Sequence, residues 1–313
     1  MPTGIEWTEE TWNPVTGCSK VSPGCAHCYA ETIAKRFGGT TAYPEFRPWT
    51  PENAAHNVVL HPERLDQPLR WQRPRMVFVN SMSDLFHELV PDTFIAEVFD
   101  AMARSPQHTF QVLTKRPERA LEWMHAWVRA FDRPGPWPLS NVWLGVSIEN
   151  ARHTYRADVL REIPAAVRFI SAEPLLGSLF VGPDRNPPDT DFIQGFRKPL
   201  DLTGIDWVIV GGESGTGARP CDLAWIREIR DATLNRAEPT MHQVPGGVDV
   251  WENERPALFV KQLGANPTYL DDLTIGVYKE KPLKLRDRKG GDIDEWPVDL
   301  RIREFPVRAA VLV

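Results

Sequence analysis

The sequence predicts an α/β protein built as a parallel, TIM-like barrel, complete or open on one side, with a doubly wound sheet as the alternative. Three observations predict it. From Met76 onward a unit recurs: a short apolar run, a cluster of polar residues, then an amphipathic helical pattern. The apolar runs begin at intervals of roughly 26 to 51 residues, a spacing that suits parallel strands joined by crossover helices. They are also continuous rather than alternating, as strands buried on both faces should be.

Taken in order, a first strand is expected around Ile5 to Thr11. Met76-Val-Phe-Val79 ends in Asn80-Ser-Met-Ser-Asp84, and a helix from about Pro91 to Arg104 follows, with Phe94, Ile95, Val98, Phe99 and Met102 on one face. Thr109 to Leu113 ends in Thr114-Lys-Arg116, and Pro117 opens a second helix carrying Leu121, Met124, Trp127, Val128 and Phe131. Val142 to Val146 ends in Ser147-Ile-Glu-Asn150, before a helix marked by Tyr155, Val159, Leu160 and Ile163. Arg168-Phe-Ile170 ends in Ser171-Ala-Glu-Pro174, and Trp207 to Val210 ends in Gly211-Gly-Glu-Ser214. Leu223, Ile226, Ile229 and Leu234 mark the next helix, and Leu258-Phe-Val260 closes the series with Lys261-Gln262. Insertions at about 183–203 and 237–255, rich in Pro, Gly and charge, read as loops within a barrel spanning 1–263. Residues 264–313 read as a C-terminal extension capping the barrel.

The chain has 313 residues, 42% hydrophobic and 25% charged, and no apolar run approaches the roughly 20 residues needed to span a bilayer. No membrane partner is expected. Met1-Pro-Thr-Gly-Ile-Glu has neither the basic region nor the apolar stretch of a signal peptide, so a cytoplasmic location is expected, where thiols stay reduced. The net charge of −6 argues against broad attraction to a polyphosphate, while leaving room for a local basic groove.

Three of the four cysteines, Cys18, Cys25 and Cys28, stand in one short loop directly before a helical pattern that starts at Ala30. Cys221 is alone, as a small buried residue often is. A structural zinc takes four protein ligands, so zinc here would have to recruit His27, Cys221 or a distant histidine. Three thiolates can instead hold a cubane iron–sulfur cluster with one iron left open. In parallel α/β folds the site forms at the carboxyl ends of the strands. Asn80, Ser81, Ser83, Asp84, Lys115, Arg116, Ser147, Glu149, Ser171, Glu173, Glu213, Lys261 and Gln262 all fall at such ends and are expected to line one mouth with the cysteine loop. His27, His87 and His153 read as ordinary polar residues.

The three-cysteine loop after a first strand, leading into Tyr29-Ala-Glu31 and a series of βα units, resembles the radical S-adenosylmethionine superfamily. It departs from that pattern in the six residues between Cys18 and Cys25, where three are usual, and in His27, which stands in an aromatic place. Trp12-Asn-Pro-Val-Thr-Gly-Cys18, Phe78-Val-Asn-Ser-Met-Ser-Asp-Leu-Phe86, Leu113-Thr-Lys-Arg116, Gly211-Gly-Glu-Ser-Gly215 and Phe259-Val-Lys-Gln262 resemble, in addition, a phage- and prophage-associated family of unknown function related to that superfamily.

The resemblance implies a barrel of the radical S-adenosylmethionine type whose cofactors are a [4Fe-4S] cluster on Cys18, Cys25 and Cys28 and S-adenosylmethionine on its open iron. It implies an enzyme that generates a 5′-deoxyadenosyl radical, with an electron donor as partner and the substrate unspecified. Asn80, Ser81, Ser83 and Asp84 then stand where the methionine amino group is held, and Ser147, Glu149 and Ser171 where the ribose is bound. Lys115 and Arg116 are candidates for the methionine carboxylate or an anionic substrate, or for an ion pair with Glu149 or Glu173; Glu173, Glu213 and Lys261 complete the cofactor set. Two other readings stay open: a phage-encoded binding or scaffold protein with a structural zinc or iron–sulfur site, and a protein that modifies nucleic acid.

Overall fold

The computed structural model describes residues 3–130, 137–180, 199–235, 240–244, 248–252, 255–274 and 277–306. Its centre is one sheet of seven strands: β1 (Glu10–Trp12), β2 (Met76–Val79), β3 (Thr109–Thr114), β4 (Val142–Ser147), β5 (Val167–Ala172), β6 (Trp207–Gly211) and β7 (Ala257–Gln262). Their order in the sheet is their order in the chain. The pairing is parallel, with Trp12 opposite Val79, Val79 opposite Val112, and Val260 opposite Val210. A doubly wound sheet would reverse its strand order at a switch point, and this one does not. The first and last strands are the two edges, so the fold is the open form of the expected α/β barrel.

The chain forms two compact units, Met1–Ser147 with Asp158–Arg168, and Ile148–Ala157 with Phe169–Val313. In the first, α1 (Tyr29–Arg36), α2 (Asp92–Ala103) and α3 (Pro117–Ala130) follow β1, β2 and β3. The apolar residues of α2 recur at helical spacing, and Phe94, Ile95, Val98, Phe99 and Met102 are all buried. In α3 the buried face is Ala120, Trp123, Met124 and Trp127, whereas Val128, expected inside, is 45% exposed. Aromatic packing sets that rotation: Trp123 stacks on Trp127 at 4.9 Å and Phe99 lies 4.9 Å from Trp123. Phe131 lies outside the described residues. The first strand is shorter and later than expected: just before it the Glu9 N–H donates to the Met76 carbonyl at 3.0 Å, and the Glu9 carboxylate takes the Met76 N–H at 2.7 Å.

α4 (Tyr155–Glu162) buries Ala157 and Leu160, with Ile163 just beyond it, and leaves Tyr155 exposed. In the second unit, α5 (Leu223–Leu234) starts at Asp222, whose carboxylate accepts the Ala224 N–H at 2.9 Å. It buries Leu223, Ile226, Ile229 and Thr233 and leaves Leu234 exposed. Most of the first expected insertion, its residues 183–198, lies outside the described residues. The second is not a plain loop: Thr240–Val244 and Val248–Glu252 form an antiparallel pair, each five residues long. Cys221 is buried in a short strand beside Pro267–Thr274, which pairs in turn with Val277–Pro282.

The outer edge of β7 is covered by the chain's own last described segment. Val260 donates to the Ile302 carbonyl at 2.8 Å and Glu304 to the Leu258 carbonyl at 2.8 Å. Trp296 and Leu300 are buried, and the Arg303 guanidinium lies over the Phe259 and Trp296 rings. Backbone pairing of this kind removes a free sheet edge. Among the described residues no helix is long and apolar enough to cross a membrane.

Candidate metal centre and strand-end residues

The cysteine loop leaves the sheet through Gly17, which has φ +81° and lies so near Asn57 that a Cβ would meet its carbonyl oxygen. Only glycine satisfies both constraints without strain. The Gly17 N–H donates to the Met82 carbonyl at 3.0 Å, and the preceding Val15–Thr16 pairs with Val59–Leu60. Cys18 and Cys28 then pack against a buried group formed by Ala30, Ala34, Tyr43 and Trp49. Glu31 of α1 fixes the loop from the other side, its carboxylate bound by Lys20 Nζ at 2.7 Å and by the Trp49 N–H at 2.8 Å.

The polar residues after β2 are stitched to the stretch that leads into Cys18. Asn80 adopts φ +59°, a conformation asparagine tolerates better than most residues. Its Oδ1 accepts the Val15 N–H at 3.3 Å, while its Nδ2 is buried and, among the described residues, has no partner. Ser81 donates to Asn13 Oδ1 at 3.2 Å and Ser83 to the Val15 carbonyl at 2.8 Å. Asp84 is buried and accepts from Thr114 Oγ1 at 2.8 Å, the Phe86 N–H at 3.0 Å and the Lys115 N–H at 2.9 Å. It therefore clamps the end of β2 to the end of β3.

Arg116 reaches back from the same strand end. Its Nη1 donates to Cys18 Sγ at 3.6 Å and lies 3.5 Å from Asp84 Oδ2, its Nη2 donates to Ser19 Oγ at 3.0 Å, and its Nε to Glu88 Oε2 at 3.1 Å. His87, fully buried, shares Ser19 Oγ at 2.9 Å and accepts the Leu89 N–H on Nδ1. Sequence reasoning set His87 aside, because its tie to Ser19 spans 68 residues and leaves no local signal. Lys115 is half-buried, and among the described residues its ammonium has no ion-pair partner.

Burial dominates the electrostatics of Cys18 and Cys28. It pushes the Cys18 thiol up to about 12, with the Asp84 charge adding and Arg116 opposing. Burial also raises Cys28, against the N–H groups of Glu31 and Ala30 at the start of α1 and the charge of Lys115, and the nearby Cys25 raises both. Burial thus favours the neutral thiol at both positions, and a bound cation would favour the thiolate. Among the described residues, no three Cys, His, Asp or Glu side chains converge on one point where a single metal ion would sit. Three thiols on one loop are the number of protein ligands an open cubane cluster takes, each on a different iron, whereas a structural zinc takes four ligands on one centre.

Ser147 is buried at the carboxyl end of β4. In the second unit each strand-end carboxylate has a cation from its own neighbourhood. Glu149, fully buried, pairs with Arg156 at 3.1 Å. Glu173 pairs with Lys261 at 3.1 Å, and Glu213 with Arg219 at 2.5 Å, the Arg219 N–H adding a bond at 2.9 Å. Ser171 is buried, its carbonyl accepting the Ile148 N–H at 3.0 Å. Gln262 donates to the Gly212 carbonyl at 2.9 Å. Gly211 and Gly212 admit close approach by the chain itself: a Cβ on Gly211 would stand 2.7 Å from Glu173 Oε1, and one on Gly212 would meet the Leu263 carbonyl.

Among curated proteins none matches the chain. Among solved structures, a cysteine-to-serine mutant of spore photoproduct lyase is similar over 80% of this chain and 71% of its own, with 13% identity and a TM-score of 0.35. Residues 2–255 match a family described as protein of unknown function (DUF5131), and the chain belongs to that family.

Proposed function

We propose that the protein is a radical S-adenosylmethionine enzyme in which Cys18, Cys25 and Cys28 hold a [4Fe-4S] cluster. The observation that carries this reading is the placement of three partly buried thiols, spread along one loop between β1 and α1, in an open sheet of parallel strands. Cluster and S-adenosylmethionine together would supply one-electron cleavage of the sulfonium and a 5′-deoxyadenosyl radical, and the protein would supply binding, orientation and exclusion of water.

Among the described residues the Asn80 amide has a buried N–H without a partner and the Lys115 ammonium has no ion pair, and both are donors suited to the methionine carboxylate. Ser81, Ser83 and Asp84 fix the turn that presents Asn80, with Asp84 as the acceptor nearest in kind to what an amino group needs. Ser147, and in the second unit Glu149, Ser171, Glu173, Glu213 and Lys261, are the further candidates for cofactor or substrate contacts. An electron donor is the partner this chemistry requires.

Anaerobic reconstitution tests the reading. The protein should take up roughly four irons per chain, and with dithionite it should turn S-adenosylmethionine into 5′-deoxyadenosine. Tight zinc binding with no iron uptake would overturn it.

A further inference from the structure

The five N–H groups of Arg116 all lie in a fork that other residues already occupy, and one prong is aimed at sulfur. Nη1 donates to Cys18 Sγ at 3.6 Å across 98 residues of sequence. Nη2 donates to the carbonyl of Ser19 at 3.3 Å and to its hydroxyl at 3.0 Å, so the same side chain holds both the thiol and the peptide that follows it. Arg116 is itself held: its N–H donates to Thr114 Oγ1 at 2.9 Å, its carbonyl accepts the Ala120 N–H at 3.2 Å, and it is only 8% exposed. Two carboxylates face it, buried Asp84 at 3.5 Å and Glu88, 57% exposed, at 3.1 Å.

We infer that Arg116 is a positioning residue for Cys18 that sets the reduction potential of the cluster held there, through its N–H on the sulfur and its buried charge. The inference rests on the cluster reading above. Hydrogen bonds to cysteine sulfur and local charge are among the factors that fix an iron–sulfur potential, and burial strengthens both. An added electron makes the cluster more negative, so a cation beside Cys18 favours the reduced state and raises the potential. Glu88 tempers that cation from the solvent side. A lysine at this position would keep the charge and lose the fork that reaches Cys18, Ser19 and Glu88 together.

The test compares reconstituted wild type with Arg116→Lys, Arg116→Gln and Glu88→Gln, reading iron content and the midpoint potential from a titration followed by electron paramagnetic resonance. Arg116→Gln should load iron and shift to a lower potential, Arg116→Lys should fall between it and wild type, and Glu88→Gln should shift to a higher one. Equal potentials in wild type and Arg116→Gln, or a downward shift in Glu88→Gln, would overturn the inference. If Arg116→Gln loses its fold or its iron, Glu88→Gln decides alone: an upward shift supports the inference, and an unchanged potential overturns it. A wild-type protein that takes up no iron removes the cluster reading itself, a result distinct from unchanged potentials in loaded proteins.

Discussion

Thr114 donates its hydroxyl to Asp84 at 2.8 Å, a buried bond that joins the carboxyl end of β3 to that of β2. The same carboxylate accepts two backbone N–H groups and faces Arg116. Replacing Asp84 by Ala leaves the guanidinium and three donors without it. Loss of one partner of a buried charge pair costs about 3–5 kcal/mol. The Asp84→Ala protein should lose that much stability in urea unfolding, whereas Ser81→Ala, removing one partly buried hydroxyl bond, should lose about 1 kcal/mol.

Gly17 controls how Cys18 enters its loop. A Cβ there would carry the strain of φ +81° and also collide with the Asn57 carbonyl. Gly17→Ala should cost about 3 kcal/mol or more and abolish iron uptake. Gly215 is the control, since it also has positive φ, +100°, but open space around its Cβ position. Gly215→Ala should cost only the backbone strain, about 1–2 kcal/mol, and keep the iron.

His87 makes stability depend on pH in a definite direction. Burial lowers its pKa from the usual 6.5 to about 4, with Arg116 and Arg119 adding and Glu88 and Asp84 opposing. Below pH 6.5 the unfolded chain binds a proton that the folded one does not, so this group's contribution to stability is fully present above that pH. It is lost as the pH falls from about 6.5 to about 4, by an amount on the order of 3 kcal/mol. Thermal unfolding of wild type across that window should show the loss, and His87→Gln should flatten it. A slope unchanged in His87→Gln would refute the assignment.

Most strands were legible because each is a continuous apolar run ended by polar residues, a pattern that burial on both faces imposes. For β1 the strand is expected but its bounds are not, since only Trp12 of its three residues is buried. The face of α3 differs from the expected one at Val128 because hydrophobicity alone does not reveal that Trp123 stacks on Trp127 with Phe99 packed against both, which sets the helix rotation. The pair at 240–252 lies in a stretch whose Pro, Gly and charge content reads as loop. At the candidate site, the cysteine loop is a local pattern and stood out. The links from Arg116 to Cys18 and from Ser19 to His87 join residues 98 and 68 positions apart, a distance that only folding closes.

Cys18 separates a cluster built for chemistry from a metal that holds the fold. The loop around it is held by contacts of the protein itself: Gly17 is bonded to Met82, Glu31 to Lys20 and Trp49, and Cys18 and Cys28 lie against Ala30, Ala34, Tyr43 and Trp49. Cys18→Ala removes one sulfur from that packing, a loss of about 1 kcal/mol for a small apolar group. The variant should keep the wild-type circular dichroism and most of its melting temperature, yet fail to retain iron and form no 5′-deoxyadenosine. Structural metal sites contribute folding energy outright, and domains that depend on them unfold without it. A Cys18→Ala protein that is unfolded by circular dichroism would therefore assign the metal to the fold, and one that is folded and free of iron assigns it to the reaction.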